Sequence, residues 1–469
     1  MEAIRENKVS DFRDHIATAD KDGKRIWVYP KKPKGRLTNY RNWVSYVFLI
    51  LFFTMPFMKI NGQPLLLLNF PERKFILFGA IFWPQDFHLF LIGTLAFMVF
   101  IVLFTIIYGR VFCGWVCPQT IFMEMVFRKI EYFIEGDYKS QMALNKAPMS
   151  WPKFAKKASK HVIFFTISFI ISNTFLTYII GVDEWWKIVT DPIGQHIAGI
   201  VSITIFTGVF YWVYAWFREQ VCTAVCPYGR LQGVLLDRDS IVVAYDYVRG
   251  ESRGKIRKNE NRAAAGKGDC IDCNQCVNVC PTGIDIRNGT QLECINCTAC
   301  IDACDFMMEK VGLKKGLIRY ASENSIANKK PFHITRKIKG YTAVLGILVM
   351  SFAFLLGTRS EVETSILRTP GTLYQELEKG KIGNLYNVKI VNKTNEAKDI
   401  TLKILDGHGQ IRMVGKDLFL ESQSIASGAL FVVMDRNEIS DTKTKVVIGV
   451  YSNGKLLEKV NTNFIGPIN

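Results

Sequence analysis

Long apolar runs constrain this 469-residue chain more than any other feature of its sequence. A helix needs about 20 mostly apolar residues to cross the hydrocarbon core of a bilayer, where every backbone polar group must be paired internally. The run "KFILFGAIFW" from Lys74 is shorter, and we expect a re-entrant or interfacial segment there. The sequence predicts an α-helical transmembrane bundle with five spans, at about Trp43–Ile60, Phe87–Ile107, Val162–Ile180, Ile197–Phe217 and Tyr341–Gly357.

Positive charge is distributed unevenly between the loops that join these spans. Ten, nine and twenty Lys and Arg residues lie in residues 1–40, 108–161 and 218–340, respectively. Only two and one lie in residues 61–86 and 182–196. The positive-inside rule places the first three in the cytoplasm, so the fifth span carries residues 358–469 to the exported side. We attribute the formal net charge of +17 to basic cytoplasmic loops and therefore predict no nucleic-acid partner.

The most specific motif is a pair of closely spaced cysteine runs, "CIDCNQCVNVCP" from Cys270 and "CINCTACIDAC" from Cys294. Both have the C-x-x-C-x-x-C-x-x-x-C spacing of bacterial two-cluster ferredoxins, in which the fourth cysteine of each run binds the other cluster. The ligands expected for the first 4Fe–4S cluster are Cys270, Cys273, Cys276 and Cys304. The ligands expected for the second are Cys294, Cys297, Cys300 and Cys280.

Zinc is the alternative occupant of these cysteines. Structural zinc sites usually use two cysteine pairs separated by a longer loop, which favours iron–sulfur clusters here. A cytoplasmic position also favours metal over disulfides, because that compartment is reducing. Asp305 follows Cys304 where a proline would complete the second run, and its negative charge is expected to lower the potential of the cluster that Cys304 binds.

Four further cysteines, which we call the membrane thiols, follow two of the apolar runs. They lie in "RVFCGWVCPQT" from Arg110 and "EQVCTAVCPYGR" from Glu219, and they are Cys113, Cys117, Cys222 and Cys226. The matching segments indicate a tandem repeat of two-helix hairpins, and such repeats often build one site where they meet. Positions i and i+4 share one face of a helix, so we expect all four thiols to converge. Thiolates prefer soft ions such as Cu(I), so these four cysteines are candidate catalytic residues and candidate copper ligands.

The alternative for the membrane thiols is four small buried residues at a seam between helices, since free cysteine is often simply buried. His88 and His196 open the second and fourth spans near the exported side. A haem or quinol site is conceivable there, although a histidine that faces water at the membrane surface is commoner.

The last hundred residues alternate apolar and polar side chains in several short segments. Examples are "LYNVKIVN" from Leu385, "DITLKIL" from Asp399, "GALFVVMD" from Gly428 and "KVVIGVY" from Lys445. This pattern predicts a small antiparallel β-sandwich without cysteine. Met413, Met434 and His408 are weak candidates for copper ligands, because methionine usually belongs to a core.

Together these features resemble the CcoG/FixG (RdxA-like) family of accessory proteins for the assembly of cbb-type cytochrome c oxidases. The resemblance rests on two hairpins that each end in C-x-x-x-C-P, the ferredoxin insert, a final span and an Ig-like exported domain. Shorter matches are "FWPQDF" from Phe82, "DRDSIVVAYDYVRGESRGK" from Asp237 and "GLIRYASENSI" from Gly316.

The resemblance implies a protein of the bacterial cytoplasmic (inner) membrane that delivers copper to the oxidase and reduces Cu(II) to Cu(I) at the membrane thiols. Its expected partners are the lipid bilayer, the oxidase assembly machinery, copper donors and acceptors, and a cytoplasmic or quinol electron donor. The expected segments are a cytoplasmic N-terminal segment (1–40), a four-helix transmembrane region (41–240), a ferredoxin-like domain (241–335), a fifth transmembrane helix (338–358) and an Ig-like β-sandwich (370–469).

Two other functions fit the same sequence. One is a quinol-oxidising membrane ferredoxin of a respiratory chain, for which His88 and His196 are the visible candidates for a proton acceptor. The other is a non-enzymatic assembly chaperone whose clusters sense the redox state. The exported Ig-like domain favours the copper reductase over the quinol-oxidising subunit.

Overall fold

The computed structural model describes residues 18, 22, 24–60, 62–71, 73–257, 260–262, 264–329, 333–371, 373–377, 380–394, 396–406, 408–415, 418–422, 424–439 and 441–467. The first part of the predicted N-terminal segment (1–40) therefore lies outside the described residues. The chain forms two compact units. The first comprises the residues up to Phe57 and Ile92–Val349, and the second comprises Met58–Leu91 and the residues from Met350 onward.

The helices are numbered in chain order. They are α1 (Arg36–Thr54), α2 (Phe87–Tyr108), α3 (Val111–Trp115), α4 (Pro118–Thr120), α5 (Arg128–Ile134), α6 (Tyr138–Lys146), α7 (Trp151–Ile180), α8 (Val182–Thr190), α9 (Ile197–Trp212), α10 (Pro227–Leu235), α11 (Tyr247–Gly250), α12 (Gln275–Asn278), α13 (Ala299–Lys310), α14 (Glu323–Asn328) and α15 (Arg336–Gly357). Three π-helical segments adjoin them, at Ile121–Phe127, Val213–Phe217 and Val221–Val225.

Four helices in the described part of the chain are long and apolar enough to cross a membrane. They are α2, α7, α9 together with its continuation to Phe217, and α15. The first predicted span is also a helix, but α1 ends at Thr54, and the residues expected to complete the span lead into a strand instead. Exposed side chains such as Trp43, Val47 and Ile50 give α1 an apolar outer face. The helical membrane region is thus confirmed, with a first span whose apolar part is short.

Aromatic side chains form a core in the first unit. Phe127 stacks on Tyr214 with 4.6 Å between ring centroids, and Phe164 of α7 meets Phe127 edge to face at 4.8 Å. These contacts join the π-helical segment after the first thiol pair to the one before the second pair. They fix the two repeats against each other, since buried aromatic pairs contribute beyond the area that they bury.

The strands are also numbered in chain order. They are β1 (Lys59–Ile60), β2 (Gln63–Pro64), β3 (Leu66–Asn69), β4 (Lys74–Leu77), β5 (Ala80–Phe82), β6 (Val242–Tyr245), β7 (Ile318–Ala321), β8 (Val362–Arg368), β9 (Gln375–Leu377), β10 (Lys381–Asn392), β11 (Lys398–Asp406), β12 (Gln410–Val414), β13 (Leu418–Leu420), β14 (Ile425–Asp435), β15 (Lys443–Ser452) and β16 (Lys455–Ile465). In the first unit, β6 precedes the cysteine-rich insert and β7 follows it, and the two strands pair antiparallel.

The predicted β-sandwich is confirmed in the second unit. One sheet has the order β12-β14-β10-β8, with β9 also paired to β10, and the other has the order β13-β11-β15-β16. Alternate side chains from both sheets fill one core, which includes Tyr386, Val432, Ile448 and Phe464. The four strand segments predicted from the alternating pattern all lie within these strands.

The segment from Lys74, predicted to be re-entrant or interfacial, forms strands of the second unit, and its position at the membrane interface stays a prediction. Strands β3, β4 and β5 form an antiparallel sheet, and Ile76 and Ile81 pack against Leu67. Phe78 and Gly79, with φ of 51° and 79°, form the two-residue turn between β4 and β5. Positive φ at both central residues is typical of the type I′ turns that join tight β-hairpins. The apolar character of the segment conceals this turn in the sequence.

Candidate electron-transfer site

Four of the ferredoxin cysteines line one cavity of about 340 Å³ in the first unit, which we call the first cavity. Its thiols belong to Cys270, Cys273, Cys276 and Cys304, and the other walls are mainly apolar. Cys304 lies on α13, which packs against α12, the short helix that contains Cys276. The structure therefore brings Cys304 to the three cysteines of the other run, as the ferredoxin spacing predicts.

The remaining four ferredoxin cysteines line a second cavity of about 340 Å³. They are Cys280, Cys294, Cys297 and Cys300, and Cys276 also contributes to the wall. Apolar side chains such as Val243, Ile284 and Ile295 complete it. Cys280 lies with the cysteines of the later run, although it ends the earlier one.

Left-handed residues wrap both cysteine loops in the same way. Asp272 and Asn274 flank Cys273 with φ of 53° and 56°, and Asn296 and Thr298 flank Cys297 with φ of 53° and 65°. Asn and Asp tolerate this conformation better than other non-glycine residues. The equivalent positions of the two runs thus coil the chain tightly around each cavity.

Burial sets the protonation of these thiols when no metal is bound. It raises the pKa of Cys276 and Cys304 to about 12 and that of Cys297 to about 11. Burial also raises the pKa of Cys280, and hydrogen bonds from Thr282 and its neighbours oppose that rise. These four thiols would hold their protons at neutral pH, so iron binding must displace those protons.

The residues present fit two 4Fe–4S clusters. A cubane of four irons needs one cysteine at each of four separate corners, so its ligands surround a cavity and do not meet at one point. Each cavity presents four thiols and otherwise mainly apolar walls. The assignment of individual cysteines to each cluster stays a prediction.

Each pair of membrane thiols follows a helix that ends at a left-handed residue. Gly109 ends α2 and Arg218 follows the continuation of α9, with φ of 55° and 54°. Cys113 then lies in α3 and Cys222 in the short π-helical segment. The expectation that each pair occupies one face of a continuous helix is therefore wrong.

The second thiol of each pair lies outside its helix because a proline follows it. Cys117 and Cys226 are extended, with ψ of 125° and 112°, and the residue before a proline disfavours the α conformation. The backbone N–H of Cys117 donates to the carbonyl of Phe112 at 3.0 Å, and that of Cys226 donates to the carbonyl of Val221 at 2.8 Å. The repeat thus extends to matching backbone hydrogen bonds.

The membrane thiols share one neighbourhood of the first unit. Burial raises the pKa of Cys222 to about 12, and ionisation of Cys117 or Cys113 would raise it further. Burial likewise raises the pKa of Cys113 to about 11, with Cys117 and Cys226 acting in the same direction. Even so, no three His, Cys, Asp or Glu side chains of the described residues are gathered closely enough to hold one metal ion.

The first thiol pair contacts the loop that lines the second cavity. Cys113 packs in one buried cluster with Ile295 and Cys297. A side chain at Gly114 would place its Cβ 2.4 Å from the carbonyl oxygen of Ile295 and 2.9 Å from the nitrogen of Cys297. Only glycine allows the two backbones to approach this closely.

The second thiol pair also adjoins the second cavity. Cys222 lines a neighbouring space of about 300 Å³ together with Glu219, Pro281, Thr282 and Ile295. Pro281, Thr282 and Ile295 line the second cavity as well. The membrane thiols therefore lie next to the second cavity from both repeats.

Buried polar side chains that the sequence analysis missed connect the two repeats. Arg110 donates to Gln232 at 2.5 Å and to the carbonyl of Gly229 at 2.8 Å, and the thiol of Cys113 donates to Gln232 at 3.6 Å. In the opposite direction, Arg218 binds both oxygens of Glu131 at 2.9 and 2.6 Å. Arg110 and Arg218 lie just before Cys113 and Cys222 in the sequence, and this proximity could have indicated them.

Other candidate residues have ordinary surroundings. His88 is exposed, and His196 lies 3.0 Å from the carboxylate of Asp191. In the second unit, Met434 is buried in the sandwich core and Met413 packs against it. The side chain of His408 is largely exposed. The structure does not bring these last three residues into a copper site.

Three family models match parts of the chain. A 4Fe–4S dicluster domain matches residues 217–323, and a 4Fe–4S binding domain matches residues 90–135. The Ig-like fold at the C-terminus of FixG matches residues 352–467. Both pairs of membrane thiols fall within the two iron–sulfur matches.

Known proteins resemble the chain over most of its length. The nitrogen fixation protein FixG of Rhizobium meliloti (strain 1021) is 33% identical over 425 residues, which cover 81% of this chain and 79% of that protein. The proteins RdxB and RdxA of Cereibacter sphaeroides are 32% and 33% identical. Those alignments cover 81% and 82% of this chain and 82% and 83% of the two relatives.

Proposed function

We propose a function from one premise: the chain belongs to the FixG/RdxA family of membrane-bound 4Fe–4S proteins. It is an iron–sulfur electron-transport protein with apolar helices long enough to span a membrane. We infer that it passes electrons to Cu(II) at the membrane thiols. The Cu(I) that results would serve the assembly of a cbb-type cytochrome c oxidase.

The contact between the first thiol pair and the second cavity carries this proposal. Cys113 and Cys297 share one buried cluster, and Gly114 lets the two loops touch through their backbones. Electron transfer is favoured by short separations through packed protein. The membrane thiols are therefore well placed to exchange electrons with a cluster that Cys297 helps to hold.

The chemistry needs one electron for each copper ion. Two 4Fe–4S clusters, held by the cysteines around the first and second cavities, supply one-electron transfer when they are bound. The membrane thiols bind the copper substrate, and Cu(II) gains one electron to become Cu(I). Thiolate ligands favour this product because Cu(I) is the softer ion.

We propose the orientation that the loop charges predict for the bacterial inner membrane. The N-terminal segment (1–40) and the ferredoxin-like domain (241–335) lie in the cytoplasm, and the Ig-like domain (370–469) is exported. The four spans of the transmembrane region (41–240) and the helix at 338–358 cross the bilayer. A cytoplasmic or quinol donor would supply the electrons, and the oxidase assembly machinery would receive the copper.

One observation favours a different role for the membrane thiols. The 4Fe–4S binding domain that matches residues 90–135 includes Cys113 and Cys117. The membrane thiols would then hold a third cluster and not copper. In that case the iron content would exceed the amount that the two ferredoxin cavities require.

The test changes Cys113 and Cys117 together to Ser in the full chain. Purified anaerobically, this variant should keep its iron and its cluster spectrum, yet lose bound copper and Cu(II) reduction, because hydroxyl oxygen is a poor ligand for Cu(I). Ala224→Ser is the matched control, since it adds a hydroxyl to an exposed position between Cys222 and Cys226 without removing a thiol.

Two outcomes would contradict the proposal. Unchanged copper binding and reduction in the double variant would leave the membrane thiols as buried packing residues. Loss of about four irons from the double variant alone would assign these thiols to a third cluster.

A further inference from the structure

Arg41 and Arg110 are buried arginines in the first unit, with 3% and 4% of their surface exposed. Neither has a carboxylate within ion-pair distance in the described part of the chain. Arg41 donates from Nε to the carbonyl of Gly114 at 2.6 Å, and one of its terminal nitrogens is buried without an acceptor. Buried charges are normally paired, so these two cations require a partner of another kind.

Both arginines adjoin cysteines of the second cavity. The charge of Arg41 acts on the thiol of Cys297, and its partner Gly114 abuts the backbone of Cys297. Arg110 lines a space of about 240 Å³ together with Cys294 and Asn296. The carboxylate of Glu124 also acts on the thiol of Cys297, but Glu124 is paired with Arg128 at 3.1 Å. Positive charge therefore dominates around the second cavity.

The first cavity has the opposite surroundings. Arg287 lines it, but this guanidinium is bound to Asp272 at 2.6 Å and to Asp285 at 2.7 Å. Asp305 follows Cys304 directly, and its negative charge acts on that thiol. Arg262 also donates to the carbonyl of Cys270 at 3.0 Å, but the carboxylates of Asp272, Asp285 and Asp305 still outnumber Arg262 and Arg287 around the first cavity.

Asp302 does not remove this difference. It lies on α13 midway between Cys300 of the second cavity and Cys304 of the first. Its carboxylate accepts hydrogen bonds from the backbone of Leu37 and Thr38 at the start of α1. Its charge therefore faces the first turn of a helix, where anions are stabilised.

We propose that Arg41 and Arg110 raise the reduction potential of the second cluster above that of the first. A cluster gains negative charge when it is reduced, and a buried unpaired cation stabilises that charge in a medium of low dielectric. Electrons that enter at the first cluster would then pass to the second, beside the membrane thiols. This inference rests on the ligand assignment in the proposed function, but it does not depend on copper.

The experiment measures both cluster potentials in the purified full-length protein by redox titration followed with electron paramagnetic resonance. Arg41→Gln and Arg110→Gln remove one charge each. We expect the reduced-to-oxidised ratio of the higher-potential cluster to fall at least tenfold at a fixed ambient potential, which corresponds to a downward shift of about 59 mV for one electron.

Matched variants separate charge from folding. Arg41→Lys keeps the charge and should keep most of the potential, which guards against a Gln variant that fails to assemble. Arg238→Gln changes an arginine whose side chain is 78% exposed and should leave both potentials unchanged. Asp305→Asn should raise only the lower potential.

The inference is overturned if Arg41→Gln and Arg110→Gln leave the higher potential unchanged, or if they shift the lower one. Copper reduction is assayed separately on the same samples. Normal copper reduction with unchanged potentials would overturn this inference alone, whereas shifted potentials without any copper reduction would overturn only the proposed function.

Discussion

Gly109 and Arg218 occupy equivalent positions in the two hairpin repeats, and both have a positive φ, of 55° and 54°. Each turns the chain out of a membrane helix just before a thiol pair. Glycine adopts a positive φ freely, whereas another residue held in such a sparsely populated region loses about 1–3 kcal/mol. In the second repeat, the two hydrogen bonds from Arg218 to Glu131 hold the strained residue in place.

Gly109→Ala should destabilise the first unit by about 2 kcal/mol or more. The added Cβ would lie 2.8 Å from Val242 of β6, and the left-handed conformation adds its own cost. Thermal unfolding in detergent, with iron release as the readout, measures the effect. Gly194→Ala is the control, because a Cβ there has nothing within 4 Å. Equal unfolding temperatures for the two variants would contradict the conformational requirement.

Gly114→Ala should separate the first thiol pair from the loop of the second cavity. Its Cβ would lie 2.4 Å from the carbonyl oxygen of Ile295. This atom belongs to the backbone, so it cannot move away as the end of a flexible side chain could. We expect Cu(II) reduction to slow about tenfold to a hundredfold while both clusters remain, since small displacements of reacting groups have effects of this size. Stopped-flow kinetics measure the rate, and Gly208→Ala is the control, with open space around its Cβ. An unchanged rate would show that this contact does not limit electron transfer.

Iron content should be about eight atoms per chain, as two 4Fe–4S clusters require. Cys280→Ser should damage the second cluster and Cys304→Ser the first, because each cysteine lines the cavity of the opposite run. Electron paramagnetic resonance of the two variants should therefore show losses of different signals. If each substitution damaged the cluster of its own run, the crossed ligand assignment would be wrong.

Asp86 should make the stability of the second unit depend on pH. Its buried carboxylate binds Arg359 at 2.7 Å and Lys393 at 2.6 Å. Burial acts to raise its pKa, but these two cations outweigh that effect and hold the pKa of Asp86 below its ordinary value. The stabilisation is therefore present above the unfolded pKa of about 3.9 and is lost as the pH falls through the lower folded value.

Removing this charge at neutral pH should have a related effect. Asp86→Asn should lower the free energy of unfolding by about 3 kcal/mol, because it removes the carboxylate that Arg359 and Lys393 share and leaves Lys393 with Glu363 alone. Resistance to limited proteolysis of the C-terminal domain, measured across a pH series, reports the change. Asp399→Asn, at an exposed position, is the control. A wild-type pH profile in Asp86→Asn would show that the ion pair contributes nothing measurable.

The orientation can be tested with fusions to alkaline phosphatase, which is active only after export. A fusion after Asn469 should be active, and one after Lys146, in the loop expected to be cytoplasmic, should be inactive. The reverse result, with normal expression of both fusions, would invert the proposed orientation.

The membrane helices, the two cysteine runs and the β-sandwich were all visible in the sequence, because each depends on a local property. Length and apolar character are sufficient to identify α2, α7, α9 and α15, and alternation identifies strands such as β10 and β15. The spacing of the cysteines is likewise a property of a short segment. The family resemblance, confirmed by the relatives, followed from the combination of these features.

Tertiary structure alone decided where charge is buried and what it faces. The position of Arg41 in the sequence does not show that it reaches the carbonyl of Gly114, and that of Asp86 does not reveal Lys393 as its partner. Both depend on residues far apart in the chain, and the free energy of a buried charge depends on all groups packed around it. The sequence by itself therefore determined which residues are candidate metal ligands, and the packing decided which cavity each cation adjoins.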